Sequence, residues 1–170
     1  MLVGMPASGK TTIGRMLSGK MNYNFIDTDK VIEINENMTV EEIFKYKGEE
    51  YFRNLEGKMA DNIMLVDNMI IATGGGLPTC FHNMDKLNKA GITVFLNVPI
   101  KELIKRNEQS HGRPLLQNNM KEKIIDLYRK RFFVYNKAHI KVNNYNKSID
   151  IVCNSILKAI IEYENNNKIK

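Results

Sequence analysis

Gly4-Met5-Pro6-Ala7-Ser8-Gly9-Lys10-Thr11 matches the pattern G-x-x-x-x-G-K-[ST] at every fixed position. Glycines let a backbone curl until successive N–H groups point inward at phosphate oxygens, in a space that side chains would obstruct. Lys10 has the reach and charge for β- and γ-phosphates, and the Thr11 hydroxyl is a hard oxygen ligand suited to Mg²⁺. If a helix opens at the end of the loop, its first N–H groups and its dipole also favour an anion. The bland reading is a glycine-rich turn before a helix. Apolar Met1-Leu2-Val3 before the loop, and Ile13, Met16 and Leu17 at helical spacing after it, favour nucleotide binding.

Other stretches carry chemistry-bearing residues. Asp27-Thr28-Asp29 follows the apolar run Tyr23 to Ile26, so two carboxylates fall at a strand's carboxyl end, where α/β proteins place their ligands. One acid could serve as a helix N-cap, but that role does not account for both. Arg53 and Glu56 stand three apart on a helix, either as a surface ion pair or as part of a site. Thr73-Gly74-Gly75-Gly76 ends another apolar run. Three glycines are entropically expensive, so close approach of backbone to a ligand competes with a merely flexible turn. Asn107 to Asn119 is polar and holds Arg113, which reads as a lid over a phosphate site.

These residues need a scaffold. Strands are expected at 1–3, 23–26, 69–72, 92–97 and 139–142. Helices should fill Thr12 to Met21, a short stretch from Val31, a capping box at Thr39 and Glu42, Glu49 to Leu65, and Met84 to Ala90 with Gly91 as its stop. Further helices are expected from Pro99 to Arg106, Met120 to Tyr135 and Ser148 to Tyr163. The apolar stripes are Phe52, Leu55, Met59 and Ile63; Ile124, Leu127 and Val134; and Ile149, Val152, Ile156 and Ile160. Such alternation predicts a three-layer α/β sandwich with a central parallel sheet of about five strands and right-handed crossovers. The first strand is shorter than normal, which leads us to expect apolar residues upstream of Met1. Glu164 to Lys170 is expected to fray as a solvated tail.

With 170 residues, 43% hydrophobic and 26% charged, the chain suits one globular domain over 1–170. No apolar run approaches a membrane span, and no charged-then-apolar leader precedes the loop. The net charge of +6 fits either nucleic acid or anionic small substrates. Lysines scattered rather than bunched favour the second. Cys80 and Cys153 are too few for a disulfide framework or a zinc site, which fits a reducing cytoplasm, and His82, His111 and His139 lack ligand spacing.

Taken in order, GMPASGKT, DTD, GEEYFRNLE, TGGG, RPLL and KRFFVY resemble the shikimate kinase family along nearly the whole chain. The resemblance implies a P-loop kinase fold with phosphate loop 4–11, a substrate-binding segment at about 30–60 and a lid at about 107–119. It implies Mg²⁺-dependent phosphoryl transfer from ATP to the 3-hydroxyl of shikimate. By the same resemblance Gly4, Met5, Pro6, Ala7, Ser8, Gly9, Lys10, Thr11 and Thr12 would hold the nucleotide, with Arg106 and Lys147 on the adenine side. Thr11 and Asp27 would hold the metal. Asp29 would bind substrate hydroxyls and take the proton, with Lys10 and Arg113 catalytic beside it. Arg53 and Arg131 would hold the shikimate carboxylate, and Glu56 would orient Arg53. Gly74, Gly75 and Gly76 would line the substrate, with Phe44, Phe52, Pro114 and Leu115 as pocket walls. In place of a basic residue common on the adenine side, the chain has Asn144-Tyr145-Asn146 ahead of Lys147. The expected partners are ATP and shikimate, with no nucleic acid or membrane, and a monomer in the cytoplasm. The alternatives are another P-loop small-molecule kinase, for gluconate or a nucleoside monophosphate, and a non-enzymatic nucleotide-dependent binding protein.

Overall fold

The computed structural model describes residues 1–65, 67–109 and 120–168. Five parallel strands form one sheet: β1 (Leu2–Val3), β2 (Asn24–Asp27), β3 (Met69–Ala72), β4 (Val94–Asn97) and β5 (Ile140–Asn143). Their order is β2-β3-β1-β4-β5, which puts the shortest strand in the centre. Around it lie α1 (Lys10–Met21), α2 (Thr28–Glu36), α3 (Val40–Tyr46), α4 (Gly48–Ile63), α5 (Asn83–Ala90), α6 (Ile100–Gln109), α7 (Met120–Tyr135) and α8 (Ile149–Lys168).

Side chains alternate across a strand, and the sheet uses both faces. Leu2, Ile70, Val94, Leu96, Ile140 and Val142 pack with Ile13 and Leu17 of α1 and with Val152 and Ile156 of α8. Val3, Ile71 and Phe95 point the other way, into a core shared with α4, α5, α6 and α7. The expected three-layer parallel sandwich is therefore what forms. Register then places function. Asp27 pairs with Ala72, and Leu2 pairs with both Ala72 and Val94, so the chain leaves β2, β3 and β1 along one carboxyl edge.

Several boundaries differ from the sequence reading, each for a physical reason. The first helix buries Ile13, Gly14 and Leu17, and leaves Met16 39% exposed. The ring of Phe25 lies against Gly14, where a β-carbon would meet Cε2 at 2.5 Å, so a glycine rather than the methionine faces the sheet. Helix α2 starts at Thr28, capped by Asp27. Helix α4 stops at Ile63, short of Leu65. Strand β4 starts at Val94 rather than Ile92, because Thr93 N donates to His139 Nδ1 at 3.2 Å instead of to a neighbouring strand. Helix α6 runs to Gln109, so Asn107 to Gln109 belong to it and not to a lid. The rest of the expected lid lies outside the described residues. Helix α8 continues to Lys168, which makes Glu164 to Lys168 helical rather than frayed, since no Gly or Pro interrupts it. Ile149 at its start is exposed instead of buried.

The capping box is fully formed: Thr39 Oγ1 accepts from Glu42 N at 3.2 Å, and Glu42 Oε2 accepts from Thr39 N at 2.8 Å. Thr39→Ala is expected to cost about 1 kcal/mol, and so to lower Tm by roughly 2–4 °C. Thermal melts should show that shift with turnover unchanged, because α3 presents this end to solvent.

Candidate active site

The loop between β1 and α1 winds tightly. Gly4 and Gly9 have φ of 147° and 89°, and Ala7 joins the left-handed region at 59°. A β-carbon at Gly4 would sit 2.9 Å from Leu96 O, so the position excludes side chains on both counts. Ser8 N closes a turn on Met5 O at 3.1 Å. Gly9 caps α1 without a side-chain acceptor, which leaves the first-turn N–H groups aimed at the loop's concave side. Lys10 is buried, and its Nζ donates to Gly4 O at 2.9 Å and Met5 O at 2.8 Å, with Ser8 Oγ at 3.4 Å. The ammonium therefore lies along the loop it serves. Thr12 follows in the exposed first turn.

The Thr11 hydroxyl donates to Asp27 Oδ2 at 2.7 Å, while Asp27 Oδ1 accepts from Asp29 N at 3.1 Å. One carboxylate thus caps α2 and faces the phosphate loop. The two oxygen groups together fit a small hard cation such as Mg²⁺, which takes one or two protein oxygens and completes its shell with phosphate and water.

The three glycines after β3 each meet a different polar side chain. A β-carbon on Gly74 would strike the Asp29 carboxylate. One on Gly75 would lie 3.1 Å from Pro6 Cδ and 3.3 Å from Arg131 Nη1, and one on Gly76 would run into the Arg53 guanidinium, with Glu56 Oε1 at 2.9 Å. None of the three has a left-handed φ, so close approach, not backbone freedom, demands glycine here. Thr28, the middle residue of DTD, is buried and accepts from Gly74 N at 2.8 Å, which locks the glycine stretch to α2.

Arg53 Nη1 donates to Glu56 Oε2 at 2.6 Å, and its Nη2 and Nε reach Glu49 Oε1 at 2.8 and 3.2 Å. Its guanidinium carbon lies 5.6 Å from the Phe44 ring centre and 5.7 Å from that of Phe52, and these rings pack 4.9 Å apart. Glu56 is only 1% exposed, which settles its role as a buried partner rather than a surface ion pair. Burial opposes charge on both members. For Glu56 burial wins, pushing its pKa up despite Arg53; for Arg53 the hydrogen bond and charge of Glu56 outweigh burial and hold its pKa above the usual value. The arginine stays cationic in either case. Burial and Glu56 also push up the half-buried Cys80 thiol, whose Sγ lies 3.9 Å from Glu56 Oε2.

Arg106 reaches the phosphate loop indirectly. Its Nε donates to Glu102 Oε1 at 2.8 Å and its Nη2 to Asn144 O at 3.0 Å, while Asn144 Nδ2 donates to Ser8 O at 2.6 Å. Lys147 is exposed. Arg113, Pro114 and Leu115 lie outside the described residues. The sequence reading missed three residues that the fold brings to these loops: Thr28, Asn144, and Tyr135, whose hydroxyl donates to Gly75 O at 2.6 Å. Tyr135 stood within KRFFVY as a visible signal; for Asn144, 136 residues from Ser8, no local signal existed.

A parallel sheet with order β2-β3-β1-β4-β5, a G-x-x-x-x-G-K-T loop before α1, and acids, arginines and glycines along one edge define a P-loop phosphotransferase. Arg53, Arg131 and the Asp29 carboxylate gather at the glycine stretch of that edge. The family model for shikimate kinase matches residues 6–161, and the chain belongs to the shikimate kinase family. A shikimate kinase from Clostridium botulinum (strain Loch Maree / Type A3) is 43% identical over 160 residues, 93% of each chain. The shikimate kinase structure from Bacteroides thetaiotaomicron superposes with a TM-score of 0.88 at 34% identity, covering 94% of this chain and 96% of that one. The Acinetobacter baumannii enzyme, in complex with shikimate, gives 0.89 at 33% identity, covering 99% and 93%.

Proposed function

We propose that this protein transfers the γ-phosphoryl group of ATP to the 3-hydroxyl of shikimate, giving shikimate 3-phosphate and ADP. The observation that carries the reading is the glycine stretch, where Asp29, Arg131 and the Arg53–Glu56 pair converge beside Pro6 of the phosphate loop. Phosphoryl transfer passes through a loose transition state, so the protein chiefly orients reactants and neutralises charge.

The loop from Gly4 to Thr12 cradles the phosphates with its backbone N–H groups, Pro6 having none to give, and Arg106 and Lys147 serve the adenine side. Lys10 exchanges its loop carbonyls for phosphate oxygens that gain charge. Thr11 and Asp27 would hold Mg²⁺, which supplies further positive charge when bound. Asp29 accepts a hydrogen bond from the attacking hydroxyl and takes its proton. Arg53 and Arg131 clamp the carboxylate, with Phe44 and Phe52 as a wall and Glu56 fixing one guanidinium. Arg113, Pro114 and Leu115 take the lid side in this reading, on the strength of the sequence resemblance. The same reading has a cytoplasmic monomer with no nucleic-acid partner. Among the described residues no helix is long and apolar enough to cross a membrane.

A coupled ADP-release assay tests the activity. ADP should appear with shikimate and not with gluconate or nucleoside monophosphates; shikimate-independent turnover would overturn the proposal. The clamp has its own test. Arg53→Lys or Arg131→Lys keeps charge but loses the planar fork, so the apparent constant for shikimate should rise about ten- to a hundredfold while that for ATP hardly moves. A shikimate analogue with a neutral amide for the carboxylate should be hurt less by either change. Equal losses for acid and amide would make the arginines structural.

A further inference from the structure

Helix α7 supplies more to the junction of the two substrates than Arg131. One turn on, Tyr135 is fully buried beneath the glycine stretch. Its hydroxyl donates to Gly75 O at 2.6 Å, and the Arg131 guanidinium, which approaches the same glycine, is close enough to act on the phenol electrostatically. Its ring packs on Phe95 of β4, with centroids 5.4 Å apart. Gly75 is where the two halves of the site meet: Pro6 of the phosphate loop and Arg131 both approach the position its β-carbon would take. A single phenol therefore spans the backbone between donor and acceptor sites and one arm of the carboxylate clamp.

We infer that Tyr135 is a positioning residue, whose hydroxyl sets Arg131 against Gly75 and so fixes where the acceptor carboxylate is held relative to the phosphate loop. The inference rests on the shikimate reading of the site. Three features support a directional role over simple filling of the core. The ring alone would satisfy the apolar contact with Phe95, and a phenylalanine there would spare the cost of burying a hydroxyl. The hydroxyl instead bonds the glycine stretch and lies within electrostatic reach of Arg131. Burial also pushes the phenol up to about 12, so it stays a neutral donor throughout the working range, with Arg131, Glu56 and Arg53 as the charges around it. Small errors in such a junction are costly, because misplacement by about 1 Å can lower a rate by about a hundredfold.

Tyr135→Phe removes only the oxygen. The expected result is a rise of about tenfold in the apparent constant for shikimate, the scale of one hydrogen bond, with a fall in kcat and less than about a twofold change for ATP. If the hydroxyl acts through Arg131, adding Tyr135→Phe to Arg131→Lys should cost less than it does in the wild-type background. A lowered Tm with an unchanged shikimate constant would overturn the inference, as would equal losses for both substrates or full additivity with Arg131→Lys. If the phenylalanine variant does not fold, a fluorinated tyrosine at 135 keeps the ring and the donor while lowering the phenol pKa. Shikimate affinity must then fall as pH rises through that ionisation, with no such step in wild type, and parallel profiles would overturn the inference. Because wild-type activity is the reference in every arm, a protein that never phosphorylates shikimate fails separately, in the ADP-release assay.

Discussion

Asp29→Asn is expected to lower turnover by about two to four orders of magnitude, the range for losing a positioned general base, while nucleotide affinity stays nearly constant. The two acids of DTD have different surroundings despite lying two residues apart. Asp27 is tied to Thr11 Oγ1 at 2.7 Å and faces the phosphate loop. Asp29 sits in the first turn of α2 with its carboxylate against Gly74, on the side of Arg53 and Arg131. The amide keeps the shape but loses the charge and one acceptor oxygen. Titration with a non-hydrolysable ATP analogue separates the assignments. A large loss of nucleotide affinity would move Asp29 to the metal site, and turnover within a few-fold of wild type would remove it from the chemistry.

Lys10→Met should cost at least about a hundredfold in turnover, as expected for removing one donor aimed at developing charge. The structure refines what happens to stability. Lys10 Nζ bonds to Gly4 O and Met5 O, so the variant leaves two carbonyls short of a donor. At about 1 kcal/mol for each of the two hydrogen bonds, Tm should fall by roughly 4–8 °C. The folded variant should thus be nearly inactive at temperatures well below its melt. Turnover within a few-fold of wild type in folded protein would sink the assignment of the phosphate loop.

Much of this protein is legible in its sequence, because the relevant signals are local. The phosphate loop is a run of eight residues whose types answer one chemical demand. The capping box is two residues three apart, and both of its bonds form. Apolar runs alternating with helical stripes imply parallel pairing, since parallel strands need crossovers, and that pairing is what the sheet shows. The site is harder to read. DTD and TGGG announce themselves by composition, yet nothing local says that Gly74 meets Asp29, Gly75 meets Arg131 and Gly76 meets Arg53. Those meetings follow from register, with Asp27 beside Ala72 at the ends of β2 and β3, and α4 and α7 packed over the same edge.

Where the sequence reading erred, a long-range contact overruled a periodic one. Met16 has the right spacing for the core but yields the place to Gly14, because Phe25 arrives from another strand. Asn144 looks like part of a polar turn until the fold brings it to Ser8 across 136 residues. Tyr135 reads as one more aromatic on an amphipathic helix, and only the packing of α7 under the glycine stretch gives its hydroxyl a direction. Periods of 2 and 3.6 residues tell which face of an element is apolar. They do not tell which distant side chain will meet that face, and in this protein those meetings bring Asp29, Arg131 and Arg53 to the glycine stretch beside the phosphate loop.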